Sequence, residues 1–367
     1  MNKGNICFFC HRAGIGGAER VITTLSNEFS SRGYDVSLVT TSPSDTDYTL
    51  VPEIHRMVIE SKRNNVVFRT LERIAKLRKI IKNNHFDCII SFSAVPNIQV
   101  LTALMGIKTP VIISERTDPR KYPESRIGKA LRKVLYPKAS GIVFQTIDAK
   151  NYFDEKLRNK SVIIPNPISS ELPMPFFGER DKRVVGVGAL VDQKNWPIFL
   201  EACKSFLRNH PDYLVEIYGE GNRREDLERI ILEDPFLYSN VRLMGFVDDV
   251  AKRIRTARIY VSSSDYEGIS NSMLEALGMG IPSICTDCPV GGARMFIDGT
   301  NGLLVPVGDS ERIESSMELL VTDDKLCDKF SKNAVSIREK LKVSTIADIW
   351  EEEILSHVKD KNVLENR

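Results

Sequence analysis

Short, nearly unbroken apolar runs alternate with amphipathic stretches along the whole chain, and this rhythm restricts the fold more than any other feature. In the first half the runs are ICFFC, DVSLVT, CIISFS, VIISE, GIVFQT and SVIIP, with helical periodicity over 18–32, 68–84, 126–136 and 147–157. The second half repeats the pattern with RVVGVGAL, LVEIYG, VRLMGF, RIYVSSS, PSICTD and GLLVPV. Its helices fall near 197–209, 222–233, 247–256, 271–280, 291–297 and 310–321. Strands without a polar face suit a parallel sheet covered by helices on both sides. The fold class is therefore α/β, in two similar halves. The prolines and short polar stretches of IPNPISSELPMPFFGERDK (164–182) break both periodicities and mark the boundary between them. A last segment, STIADIWEEEILSHV, carries Ile346, Ile349, Trp350 and Ile354 as an apolar stripe that needs cover.

With 367 residues, each half is large enough for its own core. No run approaches about 18 uncharged apolar residues, so no membrane span is expected. The first residues meet His11, Arg12 and Glu19 too early for a signal peptide, which points to the cytoplasm. The net charge of +2 hides an asymmetry: residues 1–170 hold 26 Lys and Arg against 15 Asp and Glu, and the rest is acidic. A basic first half suits an anionic membrane or a phosphate-bearing partner. No basic-aromatic module for reading nucleic acid is present, so nucleic acid is not an expected partner. The seven cysteines include two C-x-x-C pairs, Cys7/Cys10 and Cys285/Cys288. Joining them in one zinc site would need segments roughly 275 residues apart to meet, and buried reduced thiols are the simpler reading.

Three loops combine strand ends with helix starts, where α/β proteins hold ligands. In HRAGIGGAER, Gly14, Gly16 and Gly17 lead into a helix near Ala18, letting backbone come close to an anion. The spacing matches neither a dinucleotide fingerprint nor a P-loop. In GVGALVDQKNWP, Lys194 stands on the loop before a helix opened by Pro197, where it could pair with a phosphate. In DYEGISNSMLEALGMGIP, Glu267 precedes a helix and Glu275 lies one turn inside it. Carboxylates at a helix start can accept charge-assisted hydrogen bonds from sugar hydroxyls, while the helix N-terminus takes a diphosphate. The same residues fit a bland alternative: Ser272-x-x-Glu275 matches a capping box in which Glu275 only returns to the backbone.

An ordered series of motifs now resembles one family. GGAERVI, GVGALVDQKN, YGEGNRREDLE, LMGFVDDV, EGISNSMLEALGMGIPSICTD and GGARMFIDGTNGLLVPVGD together resemble the family-4 retaining glycosyltransferases over nearly the whole chain. SERTDP and PNPIS add a likeness to the subgroup that builds surface polysaccharides (O-antigen, capsule and related glycans) on a lipid diphosphate. The resemblance implies the GT-B fold, with an acceptor domain over 1–170, a nucleotide-sugar domain over 171–345, and a C-terminal helix over 346–367 packing back on the first domain. It implies a UDP-sugar donor, a lipid-diphosphate-linked saccharide acceptor, and neither cofactor nor metal. By the same resemblance Glu267 would hold hydroxyls of the donor sugar and Glu275 those of the ribose. Lys194 would meet the diphosphate, with Gly268, Ile269, Ser270 and Asn271 at the helix N-terminus beside it. Gly16 and Gly17 would let the diphosphate or the acceptor approach, and Gly245, Phe246 and Val247 would border the base. The family usually carries arginine where this chain has Ala189, so either a nearby cation, Arg116 or Arg294, substitutes for it or activity is weak. The expected catalytic residues are Glu267, Lys194 and Arg116. An epimerase of the same fold and a catalytically weak nucleotide-sugar binder are the rival readings.

Two basic stretches remain. KRNNVVFRTLERIAKLRKIIKNNH (62–85) spaces Phe68, Leu71, Ile74, Leu77 and Ile81 helically among eight Lys and Arg in 62–82, and RKYPESRIGKALRKVLYPK (120–138) repeats the theme. Both suit core packing on one face and an anionic membrane surface on the other, which would make the protein peripheral on the inner face of the cell membrane.

Overall fold

In the computed structural model, residues 3–14, 16–43 and 48–365 are described. They divide into two compact units, Met1–Pro167 with Val343–Arg367, and Ile168–Lys342. The break falls three residues before the expected boundary at each end, and the C-terminal helix belongs to the first unit.

The first unit runs β1 (Asn5–Cys10), α1 (Gly17–Ser31), β2 (Asp35–Thr40), β3 (His55–Val58), α2 (Val66–Asn84), β4 (Cys88–Phe92) and α3 (Ala94–Ala103). It continues with β5 (Val111–Glu115), α4 (Arg126–Leu135), β6 (Gly141–Phe144), α5 (Ile147–Asn151), α6 (Glu155–Arg158) and β7 (Ser161–Ile163). Its seven strands pair in parallel in the order β3-β2-β1-β4-β5-β6-β7. Strand β4 reads CIISF and is buried at every position, as a strand covered on both faces must be.

The second unit follows the same logic. Its elements are β8 (Asp181–Val187), α7 (Trp196–Asn209), β9 (Leu214–Tyr218), α8 (Arg224–Glu233), α9 (Pro235–Asn240), β10 (Val241–Gly245) and α10 (Val250–Ile254). Then come β11 (Ala257–Ser262), α11 (Asn271–Gly278), β12 (Ser283–Thr286), α12 (Ala293–Phe296), β13 (Leu303–Val305), α13 (Ser310–Thr322), α14 (Asp324–Ala334) and α15 (Ile337–Lys340). The strand order is β10-β9-β8-β11-β12-β13, all parallel. Trp196, Phe199 and Phe206 of α7 fill the core against Val184, Val215 and Ile217 of the sheet.

Helix α16 (Val343–Glu365) closes the first unit. Trp350 is fully buried and stacks on Phe92 at 5.7 Å, while Arg32, the residue that caps the end of α1, reaches Asp348 at 2.7 Å and Glu351 at 2.8 Å. These contacts cover the stripe of Ile346, Trp350 and Ile354, all three buried; Ile349 stays 37% exposed.

Several elements differ from the sequence reading. Helix α3 (AVPNIQVLTA) was not expected: it is buried on most of its circumference, so it shows no amphipathic period, and Pro96 sits harmlessly in its first turn. Strand β3 is a mostly exposed edge carrying His55 and Arg56, the polar character that edges favour. The single helix expected over 147–157 is two, because Thr146 caps α5 at Ala149 N and Asp154 starts α6 afresh at Leu157 N. Helix α14 was missed although Asp323 caps it at Leu326 N. All seven cysteines are buried without a disulfide, the two C-x-x-C pairs lying one in each unit.

Candidate functional site

In the second unit the sheet order reverses between β8 and β11: β9 and β10 lie to one side, β12 and β13 to the other. Loops leaving adjacent strands at such a switch diverge and leave a crevice at the carboxyl ends. The loop after β8 carries Lys194, and the loop after β11 carries Glu267.

These loops are stitched together. Lys194 Nζ donates to Glu267 Oε2, with the two side chains only 16% and 19% exposed. Gln193 Nε2 donates to Tyr266 O at 2.9 Å and to Glu267 Oε1 at 3.3 Å, and Ser264 Oγ donates to Glu267 Oε2 at 3.3 Å. Asn195 Nδ2 donates to Asp265 Oδ1 at 2.6 Å, Asp265 N to Gln193 O at 2.9 Å, and Ser263 Oγ to Lys194 O at 2.8 Å. The Glu267 carboxylate and the Lys194 ammonium are thereby held on two loops cross-linked by hydrogen bonds.

Helix α11 starts beside them, capped by Ser270, whose Oγ accepts from Met273 N at 3.4 Å. The capping box through Ser272 is therefore absent. The Ser272 hydroxyl instead bonds Val187 O at 3.1 Å and Tyr260 Oη at 2.9 Å, tying the helix start to β8 and β11. Glu275 is one turn inside the helix, as read from the sequence, and 6% exposed. Gly268 and Ile269 lie against the next loop: Gly292 N donates to Gly268 O at 2.7 Å, and a β-carbon at Gly292 would stand 2.5 Å from Ile269 Cγ1. Asn271 opens α11, and Arg294 of α12 pairs with Asp287 at 2.6 Å. Gly245 ends β10 at φ 73°, its carbonyl accepting from Gly219 N at 2.9 Å; Phe246 beyond it is half exposed and Val247 partly buried. Gly219 itself admits no side chain, since a β-carbon would lie 2.0 Å from Gly188 O on the loop that leads to Lys194. The Ala189 carbonyl accepts from Trp196 Nε1 at 2.9 Å, so this position braces the loop through its backbone.

The first unit has its own switch, between β1 and β4. The loop after β1 ends at Gly16, the residue before α1, with Gly17 as its first residue. Arg116 follows β5 and is 8% exposed. Its guanidinium lies 3.7 Å from the Phe92 ring centre and 5.8 Å from that of Trp350, and Nη1 donates to Asn166 Oδ1 at 3.0 Å. Nε and Nη2 are buried with no hydrogen-bond partner, and burial pushes the group down to about 9. Glu115 points to the opposite face, where Tyr136 Oη donates to it and Asn97 Nδ2 donates to Tyr136 Oη at 3.2 Å. Burial raises the Glu115 carboxyl to about 7, against the lowering effect of Tyr136.

Lys194, Gly245, Phe246, Val247, Glu267, Gly268, Ile269, Ser270, Asn271 and Glu275 thus belong to the second unit, and Gly16, Gly17 and Arg116 to the first. Sequence reasoning missed Gln193, Asn195, Ser264 and Asp265, although each lies within three residues of Lys194 or Glu267.

Two family models divide the chain between them. Residues 15–172 match "Glycosyltransferase Family 4" and residues 173–336 match "Glycosyl transferases group 1". The chain belongs to the family-4 glycosyltransferases. This glycosyltransferase is 26% identical to the Campylobacter jejuni "GalNAc-alpha-(1->4)-GalNAc-alpha-(1->3)-diNAcBac-PP-undecaprenol alpha-1,4-N-acetyl-D-galactosaminyltransferase", over 94% of this chain and 96% of that one. A second C. jejuni protein, an "N-acetylgalactosamine-N,N'-diacetylbacillosaminyl-diphospho-undecaprenol 4-alpha-N-acetylgalactosaminyltransferase", is 28% identical over 90% and 94%. Among solved structures, Anabaena HepE in complex with UDP superposes with a TM-score of 0.82 at 17% identity, over 96% of this chain and 100% of that one. Sucrose-phosphate synthase from Thermosynechococcus elongatus gives 0.83 at 15% identity, over 95% and 98%. The glycosyltransferase therefore has the GT-B fold of two Rossmann-like domains.

Proposed function

We propose that this glycosyltransferase is a retaining enzyme that moves a hexose or N-acetylhexosamine from a UDP-sugar to a lipid-diphosphate-linked saccharide, in the assembly of a surface polysaccharide. The observation that carries the proposal is the fixed Lys194–Glu267 pair at the switch of the second sheet, one loop from the buried Glu275. Relatives whose names specify diphospho-undecaprenol acceptors, and a fold neighbour solved with UDP, support the choice of acceptor and nucleotide.

In this reading a nucleotide-sugar separates the ion pair. The diphosphate takes the Lys194 ammonium, and hydroxyls of the donor sugar replace it on Glu267 as charge-assisted donors. Glu275 accepts from the ribose, the start of α11 over Gly268–Asn271 faces the diphosphate, and Gly245, Phe246 and Val247 border the uracil. Gly16 and Gly17 let the diphosphate or the acceptor come close. Arg116, whose buried Nε and Nη2 lack a hydrogen-bond partner, is the candidate for the cation that Ala189 does not supply; Arg294 is already paired with Asp287. The leaving diphosphate accepts the proton of the incoming hydroxyl on the same face of the sugar, so the side chains work by positioning and by stabilising charge on the leaving group. Neither metal nor cofactor enters this scheme. The cation-rich first unit keeps the protein at the cytoplasmic surface of an anionic membrane, where a lipid-linked acceptor is found.

The test is UDP release from UDP-N-acetylhexosamine and UDP-hexose, with and without an undecaprenyl-diphosphate-linked saccharide and without added metal. Release that requires the acceptor, with the anomeric configuration retained, supports the proposal. An altered free sugar formed without acceptor would point to an epimerase, and binding with no turnover to a nucleotide-sugar binder.

A further inference from the structure

Helix α4 presents its surfaces unusually. The residues of α4 turned inward are Gly128, Arg132 and Leu135: a β-carbon on Gly128 would meet Pro123 at 2.9 Å, and Leu135 is buried, while Lys129 reaches back along the surface to Arg120 O at 3.1 Å. Arg132 is also buried, donating to Pro119 O at 2.8 Å, Tyr122 O at 2.6 Å and Tyr152 Oη at 3.0 Å. These bonds fix the rotation of the helix about its axis. They leave Ile127, Leu131 and Val134, spaced i, i+4, i+7, as a continuous outward stripe, 74%, 43% and 63% exposed. Exposed Arg126, Lys129 and Lys133 flank the stripe, and residues 119–138 hold seven Lys and Arg against one acid, Glu124.

The same layer repeats the feature. Helix α3 packs between α2 and α4. Helix α2 divides along its length: Leu77 and Ile81 are buried, whereas Phe68 and Leu71 in its first turns are 62% and 55% exposed. The sequence expectation that one stripe packs on the sheet throughout therefore holds only for the second half of α2. Each of these helices follows the carboxyl end of a strand, α2 after β3 and α4 after β5.

We infer that the outward face of α4, with the first turns of α2, is the surface by which this protein seats on an anionic lipid bilayer. The inference rests on the lipid-linked acceptor proposed above and names where the bilayer is met. Apolar side chains enter the headgroup boundary while the flanking cations meet anionic headgroups. The charge argues against a second copy as the occupant, because an isologous contact would set this cationic rim against itself.

The experiment is co-sedimentation of the full chain with vesicles of equal parts phosphatidylglycerol and phosphatidylcholine, and with phosphatidylcholine alone. Wild type should pellet with the anionic vesicles and be released by salt. The triple variant Ile127→Ser, Leu131→Ser, Val134→Ser should lose about tenfold or more of that binding, as the buried apolar area falls. Lys129→Glu with Lys133→Glu should abolish the preference for anionic lipid. Both variants should melt as wild type does and keep the thermal shift given by UDP-sugar, which shows that they fold. Wild type left in the supernatant, or a triple variant that pellets as well as wild type, overturns the inference. So does a wild-type dimer in sedimentation velocity that the triple variant dissolves, since the face then belongs to a second copy. Vesicle binding without any response to nucleotide-sugar leaves the surface standing and removes the enzymatic reading instead.

Discussion

Lys194 and Glu267, 73 residues apart in sequence, neutralise one another on two loops that leave neighbouring strands. Each is the other's partner in the structure and a contact of the donor in the proposed reaction. Lys194→Ala and Glu267→Ala should each lower kcat/KM by on the order of 10²–10³, the usual range for removing one preorganised charge contact. Because the two act as a unit, the double variant should be little worse than the poorer single one. Steady-state kinetics on the three variants decides it; effects that simply multiply would show that the residues work separately.

Glu275 and Ser270 should separate ligand binding from helix capping. Glu275→Ala should remove most of the thermal shift produced by a UDP-sugar, since a ligand stabilises only through its affinity for the native state. Ser270→Ala should lower stability by about 1 kcal/mol through loss of the cap on Met273 N. A UDP-sugar shift unchanged in Glu275→Ala would refute the ribose contact.

Arg116 is a buried cation with a single side-chain hydrogen bond, on Asn166. A buried guanidinium with unsatisfied N–H groups lowers stability, and in the proposed reaction an anion would relieve that cost. Arg116→Met should melt at the same temperature as wild type or higher, and lose about 10²-fold or more in transfer. Loss of both stability and activity would instead make Arg116 a structural residue.

Glu115 gives a pH signature in the opposite sense to most carboxylates. Its native value is about 7, above the ordinary 4.5, so between these two values the folded chain binds more protons than the unfolded chain. This contribution to stability is complete below about pH 4.5, falls as pH rises, and is gone above about pH 7. Glu115→Gln should flatten the fall in melting temperature between pH 5 and 8, and should gain on wild type at the upper end. Parallel melting curves for the two proteins would exclude a protonated Glu115.

How much of this was legible depended on whether a residue's partner lay near it in sequence. Strands such as CIISF and the helix of Trp196–Asn209 could be read because burial writes itself into local periodicity. Glu267, Lys194 and Glu275 could be singled out because each stands at a strand end or a helix start. Their mutual arrangement was hidden, since nothing local says that β8 and β11 are neighbours, and with that went Gln193, Ser264 and Asp265. The Ser272 alternative stayed open in the sequence for a related reason: its hydroxyl is claimed by Val187 O and Tyr260, which are remote in sequence. Helix α3 escaped notice because a helix buried nearly all round has no polar side to mark its period.

Helix α16 has one more consequence, for the order in which the polypeptide matures on the ribosome. Domains generally fold amino-terminal first as they are synthesised. Here Trp350, which covers Phe92 in the first unit, is made only after every residue of the second. The nascent first unit must therefore wait with its Phe92 face uncovered while residues 168–342 emerge and fold. The second unit to be translated is the first able to finish.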